Sequence, residues 1–99
     1  MRKYMDLFVS ETREHLEEAA EAMVRLEQNP GDEETLNLLF RHGHSIKGMA
    51  GSMGFQPIAR LSHALEDLFD QVRKGHLRFT PEIADHAFQA LDALGDAIN

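Results

Sequence analysis

The sequence predicts an all-α protein, an antiparallel up-down-up-down four-helix bundle. Apolar residues recur at intervals of three and four through four separate segments, which is the spacing of one helical face. Turn-forming residues separate these segments, and the short connections favour antiparallel packing of neighbouring helices. The 99 residues suffice for one hydrophobic core, so we assign 1–99 to a single domain.

The four helices are predicted at about 4–28, 32–53, 57–74 and 81–98. The first ends before an Asn-Pro-Gly cluster at 29–31, and Asp32 is positioned to cap the second helix. Gly54 should end the second helix in a left-handed conformation, and Gly75 should follow the third. Thr80, directly before a proline, marks the start of the fourth helix.

Composition excludes several classes of function. The chain has no cysteine, which excludes disulfides, thiolate zinc sites and cysteine nucleophiles. A formal net charge of -7 opposes binding to nucleic acid or to anionic lipid. No apolar run is long enough to span a membrane, and the N-terminus lacks the apolar segment of a secretory signal. We therefore expect a cytoplasmic protein without direct membrane contact.

The second predicted helix contains three glycines that helix propensity does not explain. Gly43, Gly48 and Gly51 each cost roughly 0.8–1.0 kcal/mol relative to alanine in a helix interior. At about 100° per residue, His44 lies roughly 120° from the centre of the apolar face, with Gly48 and Gly51 flanking it further along the helix. Small neighbours would let another protein approach the imidazole, and Lys47 could offset the charge of a phosphoryl group. Gly43 faces inward on the same projection, and we interpret it as a site of close packing between helices.

Two residues of the third predicted helix are candidates for contact with His44. His63 and Glu66 are three residues apart and share one flank of the apolar face. A carboxylate that accepts the Nδ1 proton leaves a free lone pair on Nε2, which is the tautomer that attacks phosphorus. Glu66 is the candidate for this role, and an ordinary surface acid is the alternative interpretation. The same alternative applies to His63.

The other four histidines show no recognised metal-binding spacing. They are His15, His42, His76 and His86. His42 and His44 are two residues apart and therefore face different sides of a helix. The Glu-x-x-His pairs of metal-binding helix bundles do not occur in the sequence. We expect structural or solvent roles for these four histidines, and no metal site.

The segment from His44 to Phe55 resembles the phosphoacceptor motif of the CheA chemotaxis kinase family, His-x-x-Lys-Gly-x-x-Gly-x-x-Gly-Phe. Segments 8–12 and 61–68 resemble further helices of the same domain, so the resemblance spans nearly the whole chain. It implies a histidine phosphotransfer (HPt) domain that is phosphorylated on Nε2 of His44. The residues it implies around that ring are Lys47, His63 and Glu66, with Gly48, Gly51 and Arg41 serving access and docking.

The resemblance also implies partners. In this family a separate ATP-binding kinase domain phosphorylates the histidine, and receiver domains such as CheY and CheB take the phosphoryl group onto an aspartate. ATP and Mg²⁺ would bind to that kinase domain, so no cofactor is expected here, and the sequence has no nucleotide-binding motif. The family often has a fifth helix, so we expect this chain to be the N-terminal part of a longer kinase associated with membrane chemoreceptor arrays. A helical docking module without chemistry at His44 is the alternative.

Overall fold

The computed structural model describes residues 2–98, which fold into four α-helices. These are Arg2–Gln28 (α1), Glu33–Met53 (α2), Gln56–Arg73 (α3) and Pro81–Ile98 (α4). Helices α1 and α3 each contact α2 and α4, whereas the diagonal pairs do not meet within the described residues. The helices therefore enclose one core in a bundle 42 Å long and 21 Å across. This confirms the predicted fold class.

Local sequence signals set the helix ends. Gly54 follows α2 with φ of 77°, in the left-handed region that favours glycine, as predicted. The backbone N–H of Ile83 donates to Oγ1 of Thr80 at 3.3 Å, which confirms the predicted cap of α4. Asp32 precedes α2 as predicted, but its carboxylate accepts a hydrogen bond from the hydroxyl of Thr35 at 2.7 Å instead of capping a backbone N–H.

Apolar side chains from all four helices form the core. The largest that are fully buried are Met23, Leu26, Leu39, Ile46, Phe69 and Leu94. Beside the α2–α3 turn, the rings of Phe8 and Phe55 pack with their centroids 5.2 Å apart, which ties α1 to the turn. None of the described helices has both the length and the apolar character needed to cross a membrane.

His42 is a polar exception on the inward side of α2, where it is only 6% exposed. Burial, reinforced by the neighbouring imidazole of His15, lowers the pKa of His42 below its usual value. The ring is therefore neutral at pH 7. This placement gives His42 one of the structural roles that the sequence indicated, in contact with α1.

Helix α2 comes close to the backbone of α3 at Gly43. A Cβ at this position would lie 3.3 Å from the backbone nitrogen of Glu66 and 3.5 Å from the carbonyl oxygen of Ser62. The first distance is shorter than an ordinary van der Waals contact. At Gly48, by contrast, a Cβ would meet no neighbouring helix or side chain within 4 Å. The interpretation of Gly43 as a site of close helix packing agrees with this geometry.

Alanine at these two glycines should therefore have unequal effects on stability. Gly48→Ala should raise the free energy of unfolding by about 0.8–1.0 kcal/mol, because it gains helix propensity and the new methyl group enters open space. Gly43→Ala should gain less or lose stability, because its methyl group pushes against the α3 backbone. Urea unfolding of both variants and the wild type measures the difference. Equal gains at the two positions would contradict the close packing inferred at Gly43.

Candidate functional site

The side chain of His44 is exposed at the middle of α2. Its exposed fraction is 63%, although one face of the same helix is packed into the bundle. Gly48 and Gly51, one and two turns further along, are both exposed and leave open space where larger side chains would stand. A large partner can therefore approach the ring from this side, which is what the glycine pattern indicated.

The carboxylate of Glu66 joins His44 to Lys47. Its Oε2 accepts a hydrogen bond from Nδ1 of His44, and its Oε1 accepts one from Nζ of Lys47 at 2.7 Å. The Glu66 side chain is only 8% exposed, so both charge-assisted bonds form at the edge of the core, where they are stronger than in water. Because an ionised carboxylate only accepts, the His44 proton lies on Nδ1, and the neutral ring keeps a free lone pair on Nε2.

The same contacts keep Glu66 ionised. Burial by itself would raise the pKa of this carboxyl, but the hydrogen bonds from Lys47 and His44 outweigh it and hold the pKa below the ordinary value of 4.5. At neutral pH the site therefore holds a full negative charge beside Nδ1. Such a charge favours any state in which the imidazole becomes positive.

An aromatic and cationic layer lies beside the His44 ring. Phe40, one turn earlier on α2, stacks nearly parallel to the imidazole, at an angle of 12° with the centroids 6.3 Å apart. The guanidinium of Arg73 lies 4.0 Å from the centroid of the Phe40 ring and also pairs with Asp70 at 2.6 Å. The sequence analysis predicted neither of these two contacts. The four-residue spacing of Phe40 and His44 was the available signal, whereas Arg73 comes from another helix.

Two other predicted site residues lie at the margin of this group. The exposed His63 places Nε2 3.5 Å from Oδ2 of Asp67, and one of its ring nitrogens is within 4.8 Å of a Glu66 oxygen. Among the described residues it makes no hydrogen bond to His44. Arg41 is exposed on α2, three residues before His44. The roles of His63 at the ring and of Arg41 in docking stay predictions.

An accessible imidazole on the second helix of a four-helix bundle, held at Nδ1 by a buried carboxylate, has the features that a histidine phosphotransfer site requires. Comparison with known protein families agrees with this class. The Hpt domain model matches residues 3–98, and the chain belongs to the Hpt domain family.

Similar proteins point to the chemotaxis branch of this family. The chemotaxis protein CheA of Halobacterium salinarum is 39% identical over 94 residues, and that of Bacillus subtilis is 38% identical over 94 residues. Each match covers 95% of this chain but only 14% of the relative. The solved CheA phosphotransferase domain from Thermotoga maritima superposes with a TM-score of 0.94 at 38% identity, covering 97% of this chain and 91% of that one. The resemblance to CheA that the motif indicated is confirmed.

The depressed pKa of Glu66 predicts an acid-dependent contribution to stability. Because the folded pKa lies below the unfolded value, the contribution is complete above about pH 4.5 and is lost as the pH falls through the folded pKa. Glu66→Gln should therefore lower the free energy of unfolding at pH 7, by roughly 1–3 kcal/mol. The gap between variant and wild type should close below pH 4.5.

Urea unfolding at a series of pH values measures this gap. Asp67→Asn is the control, since Asp67 lies next to Glu66 on α3 but is 66% exposed in its side chain. It should unfold almost like the wild type across the series. A gap for Glu66→Gln that is independent of pH would contradict an ionised, paired Glu66.

Proposed function

We propose that His44 is the phosphoryl carrier of a two-component phosphorelay. Its Nε2 attacks the γ-phosphorus of ATP held with Mg²⁺ by a separate kinase domain, so that an N–P bond forms as the bond to ADP breaks. An aspartate oxygen of a receiver domain then attacks the phosphorus, and the N–P bond breaks. Because the phosphoryl group comes from ATP, we place this relay in the cytoplasm.

The hydrogen bond between His44 and Glu66 is the observation that carries this proposal. When Nε2 shares its lone pair with phosphorus, positive charge develops on the imidazole. The ionised Glu66 stabilises that charge through Nδ1–H, and Lys47 holds the carboxylate in its ionised form. Phe40 lies nearly parallel to the His44 ring, one turn earlier on α2. The chain supplies an oriented nucleophile, and its partners supply the rest of the catalysis.

An apolar groove beside the site supports docking of a receiver domain. The groove has a volume of about 310 Å³ and lies between α1 and α2. Its lining includes Leu7 from α1 and Met49 and Met53 from α2, and it extends to Gly48, one turn from His44. Leu7 is 54% exposed. A receiver that docks over His44 and Gly48 would extend onto this groove, and exposed apolar side chains are typical of such contact surfaces.

A phosphorylation assay tests the carrier role. Wild type and His44→Gln are mixed with a CheA kinase core, ATP and Mg²⁺, and a receiver domain is added afterwards. Intact mass should show one acid-labile phosphoryl group on the wild type only, and the receiver should remove it. His86→Gln, which replaces an exposed histidine of α4, is the control and should behave like the wild type. If the cognate kinase core phosphorylates neither protein, a helical docking module becomes the better account.

The groove predicts a difference between two exposed residues of α1. Leu7→Ser should slow transfer from phosphorylated His44 to the receiver by roughly tenfold, corresponding to the loss of about 1.4 kcal/mol of apolar contact. Val24→Ser is the matched control, because Val24 is 51% exposed on the same helix and does not line the groove. Single-turnover transfer at sub-saturating receiver concentrations measures both. Equal transfer rates for the two variants would show that the receiver does not dock in this groove.

A further inference from the structure

A second cluster of ligand-type side chains lies between α1 and α2, separate from the His44 site. His15 and Glu18 are three residues apart on α1, and His42 faces them from α2. The Nδ1 atoms of His15 and His42 are 2.9 Å apart, and Nε2 of His42 is 3.5 Å from Oε2 of Glu18. One nitrogen or oxygen from each residue lies within 4.8 Å of the other two. The cluster is thus compact enough for a single ion.

The buried His42 ring lacks a full set of partners. His42 is only 6% exposed, yet its Nε2 has no hydrogen-bond partner among the described residues. Nearly all buried polar atoms in proteins have a partner, and leaving one without destabilises the fold. A single proton lies between the two Nδ1 atoms, so one nitrogen donates it and the lone pair of the other accepts it. An ion that replaced this proton would take both Nδ1 lone pairs and would leave Nε2 of His42 protonated, facing Glu18 at 3.5 Å.

We propose that His15, His42 and Glu18 form a binding site for a divalent transition-metal ion of the Zn²⁺ type. Two imidazoles and one carboxylate are ligands that Zn²⁺ accepts, and water can fill a fourth position on the solvent side, where Glu18 is exposed. Zn–N bonds of about 2.0–2.1 Å in tetrahedral geometry place two nitrogens roughly 3.3 Å apart. The two Nδ1 atoms, now 2.9 Å apart, need to separate by only a few tenths of an ångström to reach that spacing, with the rings tilted toward the ion.

The ion would join α1 to the helix that carries His44 without touching the phosphoacceptor. His42 and His44 are two residues apart and lie on different sides of α2, one buried and the other exposed. Metal binding should therefore stabilise the bundle by mass action while the His44–Glu66 contact stays in place. The sequence showed no such site because its ligands come from two helices and have no local metal-binding spacing.

A zinc titration tests the site with the intact chain. ZnCl₂ is added in competition with a chromophoric chelator, and the midpoint of thermal unfolding is followed with ZnCl₂ or with EDTA. The wild type should bind one Zn²⁺ and melt at a higher temperature with the metal than with EDTA. His15→Gln and Glu18→Gln change partly or fully exposed residues, and each should weaken binding by roughly tenfold or more with helix content retained.

His63→Gln is the essential control, because His63, Glu66 and Asp67 form another group close enough to hold an ion. It should bind Zn²⁺ as the wild type does. The imidazole proton resonances of His15 and His42 should shift with one equivalent of Zn²⁺, which locates the ion without any substitution. The proposal fails if the wild type shows no binding, if His15→Gln binds with wild-type affinity, or if only His63→Gln abolishes binding.

Discussion

The structure depends on one buried carboxylate that accepts hydrogen bonds from two residues of the neighbouring helix. Glu66 can bind both His44 and Lys47 only if α3 lies close against α2 at this height. Gly43 permits that approach, since a side chain there would press on the backbone of Glu66 itself. Ser62, one turn earlier on α3, is likewise small and fully buried, and its hydroxyl is satisfied by the carbonyl of Ile58. Helix packing and the protonation of His44 are thus set by the same contact.

The glycines of α2 serve this contact in two different ways. Gly43 faces α3 and shortens the distance between helices, whereas Gly48 faces solvent and leaves open space beside His44. Both reduce the intrinsic stability of the helix, and together with Gly51 the loss is about 3 kcal/mol. Burial of residues such as Leu39 and Ile46 on the inward face of α2 offsets it. Local stability is lowered around His44 and is recovered from the core.

The sequence predicted the features that depend on neighbouring residues better than the features that depend on contacts between helices. Helix bounds and caps follow from signals within a few residues, and the predicted bounds agree with the structure to within two residues. The pairing of His44 with Glu66 crosses helices but could be inferred, because the chemistry requires an acceptor at Nδ1. No chemical requirement of this kind pointed to the layer of Phe40 and Arg73. Its formation depends on the rotation of α3 about its axis, which periodicity does not define.

The position of His42 shows why α2 can carry two independent groups. A helix turns about 100° per residue, so a step of two residues moves a side chain to a different side of the cylinder. His44 thereby meets Glu66 of α3 and solvent, while His42 meets His15 of α1 in the interior. The two imidazoles are separated sterically, because α2 itself lies between them. Glu66 holds the proton on Nδ1 of His44, so a ligand of the inner group can alter the stability of the fold without touching that contact.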